Sequence, residues 1–136
     1  MFVDEEEITQ MAMYCVIDYY RKKYVLEEYR SRHFKLSNGY IYKVKFNYDQ
    51  YIYIDYKTLF RGENTGIKKD KCDGYVIITP INSRGFFRSN FLFILIQKQG
   101  LQRMISEKMY ISDEKGLLVC RYKFSVRDVI NNGKLL

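Results

Sequence analysis

The chain has no tryptophan, one histidine (His33), one proline (Pro80) and three cysteines among 136 residues. Each shortage removes a class of chemistry. A single histidine leaves no Ser/His/Asp set and no helical His-x-x-x-His zinc pair. Cys15, Cys72 and Cys120 are odd in number and widely spaced, which fits neither a zinc cluster nor a disulfide framework. Free thiols suit a reducing compartment, so a cytoplasmic, intracellular location is expected. The longest apolar run, Phe91–Ile96, falls far below the roughly 18 residues of a membrane helix. The first apolar stretch follows acids rather than a basic segment, so no signal peptide is expected. No repeat, linker or low-complexity segment divides residues 1–136, and a single domain is expected.

What is plentiful is positive charge and tyrosine. The formal net charge is +7, and 14 residues are tyrosine. Residues 1–20 hold five acids and no base, so the remainder holds 23 bases against 11 acids, a balance of +12. A basic surface of that size argues for polyanion affinity. Tyrosine combines an apolar ring with a polar tip and serves both stacking and protein interfaces. A coding bias toward A+T would supply the same tyrosines without a role.

Periodicity organises the chain around Gln50–Phe60 (QYIYIDYKTLF). Strand side chains alternate between faces, which puts Tyr51, Tyr53, Asp55 and Lys57 on one side and Ile52, Ile54 and Tyr56 on the core side. Before it, Asp4–Arg32 reads as a helix, with Asp4 as cap, acids in the first turn and an apolar stripe through Ile8, Met11, Cys15 and Tyr19. Tyr40–Phe46 alternates with Tyr40, Tyr42, Val44 and Phe46 inward, and the short Asn47–Asp49 connection implies a hairpin with the central strand. Arg61–Cys72 is a basic loop lacking the phosphate-cradling P-loop pattern. Asp73–Thr79 reads as a strand covered on both faces, ended by Pro80. Phe86–Ile96 reads as strand, Leu101–Met109 as a short helix, Ser112–Gly116 as a turn and Leu117–Phe124 as a strand. Ser125 caps a last helix over Val126–Ile130. The expected fold class is α+β: an N-terminal helix packed on a mainly antiparallel, strongly curved sheet of about five or six strands, with short C-terminal helices.

The only ionisable groups inside a strongly apolar run are Asp55 and Lys57. The segment Ile54-Asp55-Tyr56-Lys57-Thr58 resembles the acidic-x-Lys half of the PD-(D/E)xK nuclease signature. That resemblance implies Asp55 and a second acid holding Mg²⁺ or Mn²⁺, with Lys57 orienting the attacking water. Asp49 is the nearest upstream acid, and Glu27 or Glu28 are alternatives; no Pro-Asp precedes the strand. A second likeness covers Asp73-Gly-Tyr-Val-Ile-Ile, Gly85-Phe-Phe and Phe91–Leu101, which looks like the strand pattern of MepB-type bacterial proteins. It implies a fold and no activity.

These readings converge on a small basic nucleic-acid-binding domain, monomer or homodimer, in which Lys43, Lys45, Lys68, Lys69, Lys71, Arg84 and Arg88 meet phosphates. If it is an enzyme, it is a metal-dependent nuclease with Asp55, Lys57 and Asp49 at its centre, the metal held by Asp55 and Asp49. The alternative is a non-catalytic interaction or inhibitor module of a virus or mobile element, docking an acidic protein on its tyrosine-rich face.

Overall fold

Asp4 starts the first helix, α1 (Glu5–Tyr19), by accepting from the backbone N–H groups of Glu6 and Glu7 at 3.0 and 3.3 Å. The computed structural model describes residues 4–49, 51–58, 70–80, 91–105, 109–114 and 117–136, the side chains at 56–58, 109–114 and 117–120 excepted. The helix expected through Arg32 ends at Tyr19 because Arg21 and Lys22 adopt left-handed backbone, with φ of 56° and 57°. Lys22 N–H donates back to the Ile17 carbonyl at 2.9 Å, satisfying one of the helix's last acceptors.

A hairpin follows where helix was expected. Its strands are β1 (Leu26–Arg30) and β2 (His33–Leu36), antiparallel, and its turn is Ser31-Arg32 at φ 50° and 65°. Two successive left-handed residues give a turn whose twist matches that of paired strands. His33 therefore opens a strand rather than linking helix to strand. Its ring Nδ1 lies 3.1 Å from the Ser31 carbonyl, a contact local to the turn.

The remaining elements are β3 (Ile41–Phe46), β4 (Tyr51–Thr58), β5 (Gly74–Pro80), β6 (Phe91–Gln97), α2 (Lys98–Met104), β7 (Met109–Glu114), β8 (Leu117–Ser125), α3 (Val126–Asn132) and β9 (Lys134–Leu135). They form a six-stranded sheet in the order β1-β2-β3-β5-β6-β9 and a three-stranded sheet in the order β4-β8-β7. Among the described residues every pairing is antiparallel except β3 with β5. The chain is thus α+β, with an N-terminal helix, a mixed sheet, a second small sheet and short C-terminal helices.

The large sheet is buried from both sides. On one face, Ile8, Ala12, Met13 and Val16 of α1 pack on Phe34, Leu36, Tyr42, Val44, Val76 and Ile78. On the other, Tyr75, Ile77, Ile94 and Ile96 meet Ile52, Ile54, Tyr122 and Phe124 of the small sheet, together with Leu101 of α2 and Val129 of α3. Successive residues of β5 feed opposite cores, which is why Tyr75 to Ile78 are all apolar. Burying each such Val or Ile is worth ~1.5–3 kcal/mol.

Three expectations are corrected. The sheet is not strongly curved: its apolar faces are covered by a helix layer and a second sheet, so curling is not needed to close the core. The two neighbouring strands β3 and β4 do not form a hairpin. β3 lies between β2 and β5, whereas β4 pairs with β8, because Ile52 and Ile54 bury against the far face of the large sheet. Residues 109–114, expected to lie partly in a turn, belong to β7. Among smaller shifts, α2 spans Lys98–Met104 and Tyr40 is exposed. The cap at Ser125 is as expected, its Oγ accepting from Asp128 N–H at 3.1 Å. Among the described residues, no helix is long and apolar enough to cross a membrane.

Candidate functional site

Because Tyr42 and Val44 turn toward α1, Lys43 and Lys45 of β3 project from the opposite face of the large sheet. β4 is the edge of the small sheet and runs past them. The Lys45 Nζ donates to the Tyr53 carbonyl oxygen at 2.8 Å, so a lysine occupies a backbone acceptor on that edge. Between the two strands lies a cleft of about 710 Å³ whose charged lining is Glu5, Arg32, Lys43, Lys45, Asp55 and Asp70.

Each carboxylate in the cleft has a cationic partner. Asp55 Oδ1 lies 3.0 Å from Nε of Arg121, its register partner on β8. Asp70 accepts from Lys43 Nζ at 2.8 Å and from the Tyr75 hydroxyl at 3.0 Å, while Lys98 Nζ donates to its carbonyl. Glu5 pairs with Arg32 and accepts from the Tyr48 hydroxyl. Lys45 sits among these charges. Burial lowers its pKa, the nearby Asp55 carboxylate works against that shift, and the Lys43 ammonium adds to it. Behind the cleft, burial pushes the Tyr75 phenol and the Cys72 thiol up, keeping both protonated at neutral pH.

The residues expected at a site distribute unevenly. Asp55, Lys43 and Lys45 come together in this cleft. Asp49 lies exposed in the connection ahead of β4, its carbonyl accepting from Asn47 Nδ2 at 2.7 Å, and is not part of the cleft lining. Glu27 and Glu28, the alternative acids, sit exposed on β1 rather than on a helix. Lys57 pairs with Cys120 after a register shift that follows Asp55 and Arg121. The two-residue alternation linking Asp55 to Lys57 in the sequence is therefore interrupted between them; the Lys57 side chain lies outside the described residues. Lys71 is described and exposed, whereas Lys68, Lys69, Arg84 and Arg88 lie outside the described residues.

Four charged participants were not among the expected site residues: Glu5, Arg32, Asp70 and Arg121. Asp70 carried no signal of its own, since Asp73 is the acid adjoining the β5 strand. Arg121 alternates with Lys123 on a strand otherwise rich in apolar residues. Arg32 was hidden inside an expected helix.

Asp49, expected to share a metal with Asp55, is not in the cleft lining, and the carboxylates beside Asp55 there are Glu5 and Asp70. As arranged, the oxygens of Asp55 and Asp70 serve Arg121, Lys43 and Tyr75, so the donor set does not fit a metal without displacing those partners. No group of three or more His, Cys, Asp and Glu suited to a metal occurs among the described residues. The chemistry the cleft does offer is a fixed array of cations held by counter-ions. Comparison with protein-family models, with curated proteins and with solved structures returned no match.

Proposed function

We propose that the protein binds nucleic acid, and that the cleft between β3 and β4 receives the phosphate backbone. The observation carrying this reading is the convergence of Arg32, Lys43 and Lys45 in one cleft on a chain of formal charge +7. Glu5 pairs with Arg32, Asp70 with Lys43, and the Tyr53 carbonyl holds Lys45, so these cations are oriented before any ligand arrives, which lowers the ordering cost of binding. A phosphate beside Lys45 supplies the counter-charge that its burial withholds, favouring the ammonium form.

The test uses labelled single- and double-stranded DNA and RNA over a salt series, with Mn²⁺ or EDTA. Binding that weakens with salt is expected, with no cutting. Lys43→Gln and Lys45→Gln are each expected to weaken it and to flatten the salt slope by about 1. Binding indifferent to both changes overturns the cleft as the contact surface. Mn²⁺-dependent cutting lost in an Asp55→Ala variant whose thermal melt shows it still folded would instead establish the nuclease reading.

A second reading, a protein-interaction module, draws on a different region. Tyr14 and Val25, 65% and 64% exposed, flank an apolar groove of about 640 Å³ between α1 and β1. Absence of any shift or cut in the same experiment would favour it.

A further inference from the structure

The outward face of the small sheet carries a pattern that the cleft alone does not explain. Ile52 and Ile54 turn into the core, so Tyr51, Tyr53 and Asp55 turn away from it, each half-buried. Across from them on β8 stand Ser125, Lys123 and Arg121. The Lys123 Nζ lies 4.0 Å from the centre of the Tyr51 ring, and the Arg121 guanidinium carbon lies 5.7 Å from that of Tyr53. Cation and ring thus alternate along β4 and β8. The strip runs directly into the cleft, because Asp55 lines it and Lys45 is bonded to the Tyr53 carbonyl.

Same-face positions on a strand are roughly 7 Å apart, enough for each ring to serve a separate base. Aromatic side chains in a row beside a cationic groove are how proteins hold unpaired strands, because every base has a stackable face. A duplex keeps its bases stacked on one another and offers these rings nothing. We propose that the β4–β8 face is a single-strand platform: bases stack on Tyr51 and Tyr53 while the backbone runs past Lys123 into the cleft at Lys43 and Lys45. This rests on the nucleic-acid reading above and narrows its ligand to single strands. Along the path Arg32, Lys43, Lys45, Arg121 and Lys123 stand against Glu5, Asp55 and Asp70, a balance of +2 that suits a polyanion, and the rings set between them suit one that carries bases.

The experiment measures anisotropy of fluorescein-labelled 12-mers of thymidine and uridine, and of a hairpin duplex, with the whole chain. Single strands are expected to bind at least tenfold tighter than the duplex, the two 12-mers separating DNA from RNA preference. Tyr51→Leu and Tyr53→Leu should each weaken single-strand binding about tenfold, while Tyr51→Phe and Tyr53→Phe retain it. Thermal melts check the fold of each variant. If a leucine variant fails to fold, 5-iodouracil crosslinking of the unaltered protein decides, with crosslinks expected in the Tyr51–Tyr53 peptide. Equal duplex affinity, indifference to both leucine changes or crosslinks elsewhere alone overturn the platform and leave the cleft reading standing if Lys43→Gln still weakens binding. Binding of no oligonucleotide overturns both. Polyglutamate binding as tightly as the 12-mers would assign the face to acidic peptides and overturn the platform.

Discussion

The ammonium of Lys45 and the carbonyl oxygen of Tyr53, 2.8 Å apart, join the face of one sheet to the edge of the other. Burial of that ammonium lowers its pKa, and this has a sign that can be measured. The unfolded chain holds the proton up to the ordinary value of 10.5, whereas the folded chain releases it at lower pH. In the window between the two values the unfolded state binds more protons, so this group makes stability rise with pH. Urea unfolding of wild type and Lys45→Met across the alkaline range should show the difference moving toward wild type as pH approaches 10.5. A constant difference would mean that the ammonium is as well solvated in the fold as out of it.

Tyrosine acts in the opposite direction. Tyr29 and Tyr48 are both pushed up to about 12, first by burial and then by hydrogen bonds to Glu6 and Glu5. Their contribution to stability is complete below 10, the ordinary phenol value, and is lost as pH rises toward about 12. Titration of phenolate absorbance should show that Tyr29→Phe and Tyr48→Phe each remove a late-titrating group. Loss of an ordinary one would show that the hydroxyl does not rest on its glutamate.

The Asp55–Arg121 pair is lopsided. The Arg121 side chain is 10% exposed, against 38% for Asp55. Removing the acid takes the carboxylate away from a mostly buried guanidinium, and Asp55→Asn is expected to cost about 2 kcal/mol in chemical denaturation. The double change Asp55→Asn with Arg121→Met should recover part of that loss, because an apolar side chain needs no counter-ion. A single-variant cost below about 0.5 kcal/mol, the range of ordinary surface changes, would contradict the pair's structural role. Nuclease or binding assays on Asp55 variants are interpretable only beside such a stability measurement.

Gly133 packs β9 against β6. A Cβ there would lie 2.5 Å from the Leu95 carbonyl oxygen and 3.1 Å from that of Val129, both backbone atoms. Gly133→Ala should cost about 1–3 kcal/mol, with the loss concentrated in amide protection of Ile94 and Leu95. An unaffected melt would place β9 away from β6.

How legible all this was in the sequence depended on whether the deciding interaction was local. β5 announced itself because every residue from Tyr75 to Ile78 is apolar, and the Ser125 cap because Ser and Asp128 lie three apart. The β1–β2 hairpin did not. Its turn uses Ser31 and Arg32 rather than Asn-Gly, so the usual punctuation was missing and the charged flanks passed for a helix surface. The partnership of β4 was equally hidden: chain proximity pointed to β3, whereas burial of Ile52 and Ile54 beside Tyr122 and Phe124 chose β8. The site followed the same division. Lys43, Lys45 and Asp55 were visible as charges set into strands; Arg32, Asp70 and Arg121 reach them through pairings remote in sequence.

That remote pairing also sets an order of assembly during synthesis. α1 and strands β1, β2, β3, β5 and β6 have all been made before β8 leaves the ribosome, and they suffice to build the core around Ile8, Val16, Phe34 and Val76. Ile52 must wait for Phe124, and Ile54 for Tyr122. Until then the other face of the large sheet, with Tyr75, Ile77, Ile94 and Ile96, is left without its second sheet. A nascent chain that folded as it emerged would therefore pass through a half-covered stage, which the last third of the sequence would end.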